Sequence, residues 1–189
     1  MKRIIAITGM AGSGKALTSD VARQLGCPVF VCGDVVREEV RRLGLPPTPE
    51  NTGRIMLRIR EEEGPAVVAK RLSQMMLACD APALVVEGIR NPEEIEELRG
   101  NFGSVTVVAI HASSSTRFDR LRMRGRPDDP HDWNEFEGRD VRELKVGIGN
   151  VIAQADEMIV NEGSIDELTN EAIRVFQEIL NDDQSSYIS

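Results

Sequence analysis

The stretch GMAGSGKAL, Gly9 to Leu17, carries glycines at positions 9, 12 and 14 and a lysine at 15. Glycines let the backbone turn successive N–H groups toward one anion, and the positive end of a following helix adds to that field. Lys15 supplies a mobile charge for the outer phosphates of such a ligand. Gly9, Gly14 and Lys15 fill three of the four specified positions of G-x-x-x-x-G-K-[ST]. Met10, Ala11, Gly12, Ser13, Ala16 and Leu17 complete the phosphate-contacting stretch. Ala16 departs from the pattern: a hydroxyl here would bind Mg²⁺ directly, so that ligand must come from water, from the phosphates or from another residue. The bland alternative, a glycine turn before a helix, accounts for less, because the apolar run Ile4 to Ile7 precedes the stretch and Leu17, Val21, Ala22 and Leu25 follow at helical spacing.

Four more groups of residues can take part in phosphate chemistry. Asp34 and Arg37, in CGDVVREEV, fall three apart at a helix start and share a face, so one can accept a proton while the other holds a phosphate. The alternative is a helix-start acid beside a surface arginine. In VVEGIRN, Glu87 ends an apolar run where an acid can position a metal or its water, Gly88 allows close approach, and Arg90 follows. A helix cap or an ion pair is the competing role for Glu87. Between Thr116 and Arg126 five arginines oppose one acid; on a helix Arg117, Arg120 and Arg124 share a narrow face beside Phe118 and Leu121, an arrangement that attracts an anion unless it is a solvated surface. Finally, Arg126 and Arg139 bracket GRPDDP and WNEFEGRD, with Asp128 and Asp129 available to tether that segment by ion pairs.

Phosphoryl transfer requires charge neutralised on oxygen, donor and acceptor held in line, and water excluded, with little covalent chemistry. The residues sort accordingly. Lys15 and the loop N–H groups hold the donor phosphates, Arg37 and Arg90 the acceptor, and Arg120, Arg126 and Arg139 reach the transferring group.

These residues need a scaffold, and the chain supplies one. Apolar, β-branched runs at Ile4–Ile7, Pro28–Cys32, Ala83–Glu87, Val105–Ile110 and Met158–Asn161 alternate with helical or polar segments. That rhythm predicts five buried strands in a parallel sheet covered on both faces. Two stretches break it: residues 45–64, a helix-like run bearing Arg54, Arg58 and Arg60, and residues 125–140. Both read as mobile inserts at the carboxyl end of the sheet, where closure excludes water. Ser164 with Glu167 forms a capping box for a final packing helix, and Asp182 to Ser189 reads as polar and frayed.

At 189 residues and net charge −8, the chain reads as one domain and not as a nucleic-acid or anionic-membrane binder. No apolar run approaches the ~20 residues of a membrane span, and the first residues lead straight into a strand, so a cytosolic protein is expected. Cys27, Cys32 and Cys79 suit neither disulfides nor zinc and read as reduced, half-buried thiols. His111 and His131 lack partners at metal-ligand spacing.

With these residues in place, nearly the whole chain resembles an archaeal family of predicted nucleotide kinases related to adenylate kinase and dephospho-CoA kinase. The hydroxyl-less loop, GDVVR from Gly33, EGIR from Glu87, and GRPDDP followed by Arg139 are similar to segments with which nucleoside monophosphate kinases contact the acceptor and form their lid. ADEMIVNEGSIDEL, Ala155 to Leu168, is more similar to dephospho-CoA kinase, where the region packs near the donor adenine; Asp34 then matches the acid near the acceptor hydroxyl. Glu87 replaces the Asp usual in adenylate kinases, and Ala16 with Leu17 replaces their Gly-Thr pair.

The resemblance implies a P-loop fold: an α/β domain with a five-stranded parallel sheet of order 2-3-1-4-5, a nucleotide-binding arm at about 45–64 and a lid at about 125–140. It implies ATP and Mg²⁺ as cofactors, with Glu87 acting on the metal through water. Lys15, Asp34, Arg120, Arg126 and Arg139 are the expected catalytic residues, and Asp34, Arg37, Arg58, Gly88 and Arg90 the expected acceptor site. The acceptor is adenine-nucleotide-like, such as AMP, or alternatively dephospho-CoA; a nucleotide-reporting module with slow ATPase activity is the reading from another class. Partners are small-molecule nucleotides, and the chain is expected to be a monomer or weak homodimer.

Overall fold

The computed structural model describes residues 2–181; the expected frayed tail, Asp182 to Ser189, lies outside them. In chain order the elements are β1 (Arg3–Thr8), α1 (Lys15–Gln24), β2 (Val29–Val31), α2 (Cys32–Arg42), α3 (Pro49–Glu63), α4 (Val67–Leu77), β3 (Ala83–Ile89), α5 (Pro92–Phe102), β4 (Val105–His111), α6 (Ser114–Arg124), α7 (Trp133–Val146), α8 (Ile148–Ala153), β5 (Glu157–Val160) and α9 (Ile165–Asn181). The strands form one parallel sheet of order β2-β3-β1-β4-β5. This is the P-loop strand order that the resemblance implies.

β1 sits at the centre because both of its faces are apolar. Side chains alternate across a strand, so Ile4 and Ala6 enter one core with residues of α2, α3, α4, α5 and α8, while Ile5 and Ile7 enter a second core with α1 and α9. Ile4 to Thr8 have no exposed surface. The expectation of five buried strands holds only for the centre of the sheet. β2 is half-buried throughout, and in β5 Ile159 alone is buried, because each lies at an edge with one strand neighbour. Cys27 and Cys32 are buried rather than half-buried, and only Cys79 is intermediate.

Helix starts divide into two kinds. α3, α5, α6 and α7 begin on side-chain caps from Thr48, Asn91, Ser113 and Asp132. Ser164 and Glu167 exchange the expected capping-box bonds before α9, at 2.6 and 3.2 Å. α1 and α2 instead start from Gly14 and Val31 with no side-chain cap, which leaves N–H groups at the carboxyl end of the sheet without side-chain partners.

The two off-rhythm segments are packed. Residues 45–64 contain α3, which buries Ile55, Met56 and Ile59 in the first core. Residues 125–140 hold a turn and the start of α7, whose Phe136 closes a small core with Ala11 and Leu121. α7 runs on to Val146, past the end expected for the insert. No helix among the described residues is long and apolar enough to cross a membrane.

A buried ion pair anchors α3 to α5: Arg60 Nη2 and Glu94 Oε1 are 2.5 Å apart, with side chains 9% and 0% exposed. Glu94 also accepts the Arg90 N–H at 2.7 Å. Removing one partner strands the other charge in a dry site, so Glu94→Ala is expected to lower the unfolding free energy by about 3–5 kcal/mol. Urea denaturation measures it, with Asp20→Ala, at the exposed Arg23–Asp20 pair, as the control expected to leave the midpoint unchanged.

Candidate functional site

A cleft of about 490 Å³ opens at the carboxyl ends of β1 and β3. Strand order reverses around β1, and the crevice at such a switch point is the general ligand site of open α/β sheets. The loop from Gly9 to Gly14 forms its floor. A Cβ on Gly9 would lie 2.2 Å from the Ile110 carbonyl oxygen and one on Gly12 2.6 Å from that of Arg117, so the loop closes onto β4 and α6 only because both are glycine. Ala11, Gly12, Gly14, Lys15 and Ala16 line the cleft. Gly9, Met10 and Ser13 instead shape the turn, with Ser13 N–H donating to Met10 O at 3.2 Å. Leu17 packs into the second core rather than facing the cleft.

Lys15 Nζ donates to the carbonyls of Gly9 at 2.5 Å and Met10 at 2.9 Å. Burial pulls its pKa down to about 8, against the opposing pull of Glu143 and Glu87. Ala16 is exposed on the cleft, and the nearby Thr18 hydroxyl does not replace the missing one, because it is buried against the Gly14 carbonyl at 3.4 Å.

β3 contributes Glu87 and Arg90 through a bulge. The register with β1 slips between Ile7 and Thr8, leaving Gly88 as the extra residue with φ +93°. A Cβ there would meet only Cys32 Cβ at an ordinary 3.6 Å. Gly88 thus serves the backbone bend more than the close approach expected of it. Glu87 lines the cleft, and its side chain makes no hydrogen bond or ion pair among the described residues.

Seven arginines line the cleft with Lys15 among the described residues, against five carboxylates. Arg37 is held by Asp34 through Nη2–Oδ1 at 2.7 Å and lies 3.9 Å from Asp128. Arg120 donates to Asn161 O at 3.0 Å and to its Oδ1 at 3.3 Å, while Asn161 Nδ2 donates to the Ser13 carbonyl at 2.8 Å. Arg124 and Arg139 converge on Asp129, and the backbone N–H of Arg126 donates to it at 3.0 Å. The Arg126 side chain itself is exposed at the rim. Asp128 and Asp129 thus act as the tethers the sequence suggested.

Two expectations need correction. Arg117 does not share the cleft with Arg120 and Arg124. It is 4% exposed, forks onto Asp140 at 2.9 and 2.6 Å, donates to the Ala11 and Ala112 carbonyls and stacks 4.9 Å over Phe136, so it clamps α6 to α7 and the loop. Arg58, expected at the acceptor, lies outside the cleft lining and pairs with Glu62 at 2.7 Å on the exposed face of α3, since its buried neighbours Ile55 and Ile59 take the inward face.

Glu143 was missed. It lies on α7, 3% exposed, with Oε1 3.1 Å from Arg90 Nη2 and 3.3 Å from Arg139 Nε. Burial alone would raise its pKa, but Arg90, Arg139 and Lys15 together hold it at about 2. The i,i+4 spacing from Arg139 was readable; its burial beside a strand-end arginine was not. The sequence places Asn161 at the end of a strand and within the Ala155 to Leu168 segment, and assigns it no contact of its own. Among the described residues no three His, Cys, Asp or Glu side chains cluster for a metal.

A family model described as an AAA domain matches residues 5–142. A UPF0200 protein of Hyperthermus butylicus is 48% identical over 176 residues, 93% of this chain and 94% of that protein. The shikimate kinase of Aquifex aeolicus superposes with a TM-score of 0.54 at 19% identity, covering 94% of this chain and 98% of the other. A gluconokinase from Sinorhizobium meliloti 1021 gives 0.54 at 18% identity, over 93% and 91%.

The lowered pKa of Lys15 sets a pH dependence. The unfolded lysine keeps its proton to about 10.5 and the folded one loses it near 8, so the unfolded state binds more protons in that window and stability contributed at this position rises with pH. The stability of the wild type relative to Lys15→Met is therefore expected to increase from pH 8 to 10.5 in urea titrations without ligand.

Proposed function

We propose that this chain, which belongs to the UPF0200 family and to the AAA-domain family, is an ATP-dependent phosphotransferase acting on a small, phosphate-bearing, adenine-nucleotide-like acceptor such as AMP. The observation that carries this reading is the single cleft that joins an anion-binding glycine loop to a lysine and seven arginines, in a chain of net charge −8. Positive charge is concentrated there against the trend of the whole molecule. Phosphoryl transfer, which depends on positioning and charge neutralisation, is the chemistry such a cleft performs best.

In this reading Gly12, Gly14, Lys15 and Ala16 hold the donor phosphates, with Gly9, Met10, Ser13 and Leu17 shaping the loop and its helix. Arg120 is held toward the loop by Asn161, and Arg37, Gly88 and Arg90 receive the acceptor. Arg126 and Arg139, on the segment 125–140 acting as a lid, approach the transferring group, and 45–64 forms the arm of a single kinase domain. Glu87, unpaired in the cleft, suits Mg²⁺ carried by phosphates and water, the usual mode for an ion bound through one or two carboxylates. Bound there, the metal would neutralise phosphate charge. The Asp34 carboxylate is 66% exposed and engaged with Arg37, which suits the aiming of Arg37 at an acceptor phosphate; with a ribose hydroxyl as in dephospho-CoA, Asp34 would serve as base. The same reading has the protein working in the cytosol as a monomer or weak homodimer, with no nucleic-acid or membrane partner. Ala16 favours a second reading, a nucleotide-reporting module with slow ATPase activity.

One screen separates these. Purified protein with Mg-ATP is offered AMP, the other nucleoside monophosphates and dephospho-CoA, while ADP and phosphorylated acceptor are followed together. Acceptor-dependent ADP formation with AMP is expected, reduced about 10²–10³-fold by Lys15→Met and spared by Asp34→Asn. Loss of transfer in Asp34→Asn with dephospho-CoA as the productive acceptor would move the assignment to a hydroxyl acceptor, and ADP formation indifferent to every acceptor would favour the reporting module.

A further inference from the structure

Glu143 has no part in the roles assigned above, yet it occupies the centre of the cation cluster. Its Oε1 accepts from Arg90, at the end of β3, and from Arg139, on the opposite side of the cleft. Arg90 directs its other terminal nitrogen at Met56 Sδ, 2.7 Å away and a weak acceptor. Glu143 is accordingly the one carboxylate that the Arg90 side chain engages among the described residues. Arg139 is shared in the same way, between Glu143, the Asp128 carbonyl at 3.1 Å and Asp129 at 3.5 Å. A buried oxyanion taking N–H bonds from two guanidiniums, with a lysine in its field, occupies the electrostatic position of a phosphoryl oxygen.

We infer that Glu143 is a positioning residue that stands in for a substrate phosphate between Arg90 and Arg139, and yields Arg90 to a phosphate-bearing acceptor while it keeps its bond to Arg139. The inference rests on the phosphotransferase reading, and it specifies how that site is kept assembled before substrate arrives. Without an internal anion the arginines would repel one another and Lys15. With one, each incoming phosphate must compete against it. Glu143 thereby weakens ground-state binding of the acceptor while keeping Arg139 oriented for the transfer.

The competition gives an unusual sign. Glu143→Gln keeps the shape and removes the charge, so inorganic pyrophosphate titrated calorimetrically into the full chain is expected to bind about tenfold more tightly than to the wild type. With the productive acceptor, KM is expected to fall, while kcat falls about 10²-fold because Arg139 is no longer fixed. Glu143→Asp, which keeps the charge but withdraws it by one methylene, is expected to bind pyrophosphate with an affinity between the two, and it supplies the test if the glutamine variant does not fold. A role confined to stability would leave or weaken pyrophosphate binding, and equal or weaker binding by the folded variant overturns the inference. Absence of transfer to any acceptor would overturn the phosphotransferase reading instead, and the pyrophosphate titration would still decide the role of Glu143.

Discussion

A cleft that gathers a lysine and seven arginines must first overcome their mutual repulsion. At an effective dielectric near 20, two like charges about 5 Å apart cost roughly 3 kcal/mol. The protein meets this by interleaving carboxylates: Asp34 on Arg37, Asp129 between Arg124 and Arg139, and Glu143 between Arg139 and Arg90. The resulting chain of alternating charge runs from α6 through the turn before α7 to the end of β3. It leaves a net positive cleft in an acidic protein, with its cations already aimed inward.

The geometry of that chain depends on apolar structure beneath it. β1 and β3 deliver the glycine loop and Glu87 to one edge because their side chains are buried on both faces, and the bulge at Gly88 turns the chain between Glu87 and Arg90. On the other side Phe118, Trp133 and Phe136 pack with ring centroids 5.1–5.5 Å apart, and Arg117 ties their helices to the loop. Ala11 and Leu121 belong to both the cleft and this small core, so cleft and scaffold meet there. Asn161 joins the remaining edge, linking β5, the loop and Arg120 through its two ends.

The chain shares its fold with shikimate kinase and gluconokinase at under 20% identity, and a shared fold does not by itself fix what the cleft binds. In this chain the cleft is lined mostly by charged side chains and glycine. No aromatic ring lines the cleft among the described residues, and its apolar side chains there are those of Ala11, Ala16, Val31 and Leu121. Such a lining offers a ligand charge and hydrogen bonds rather than stacking.

The glycine loop, the five strands and the final helix were legible in the chain because they follow from local patterns: glycine spacing, continuous β-branched apolar runs and the capping box before α9; the strand order came from the family resemblance. The aspartates at 128 and 129 were legible as tethers because a turn with opposite charges nearby has few other uses. What could not be read locally is which cation meets which anion. Arg117 and Arg120 are one helical turn apart, yet one is a buried clamp on Asp140 and the other faces the loop. Arg58 looked available until α3 used its other face for the core. Glu143 was one acid in a helix rich in charge until packing placed it between arginines from two distant segments. Sequence alone determined the glycine loop and the strands and helices that flank it, since each arises from neighbours along the chain. Tertiary structure decided the charge network, because pairing and desolvation depend on distances between residues dozens of positions apart.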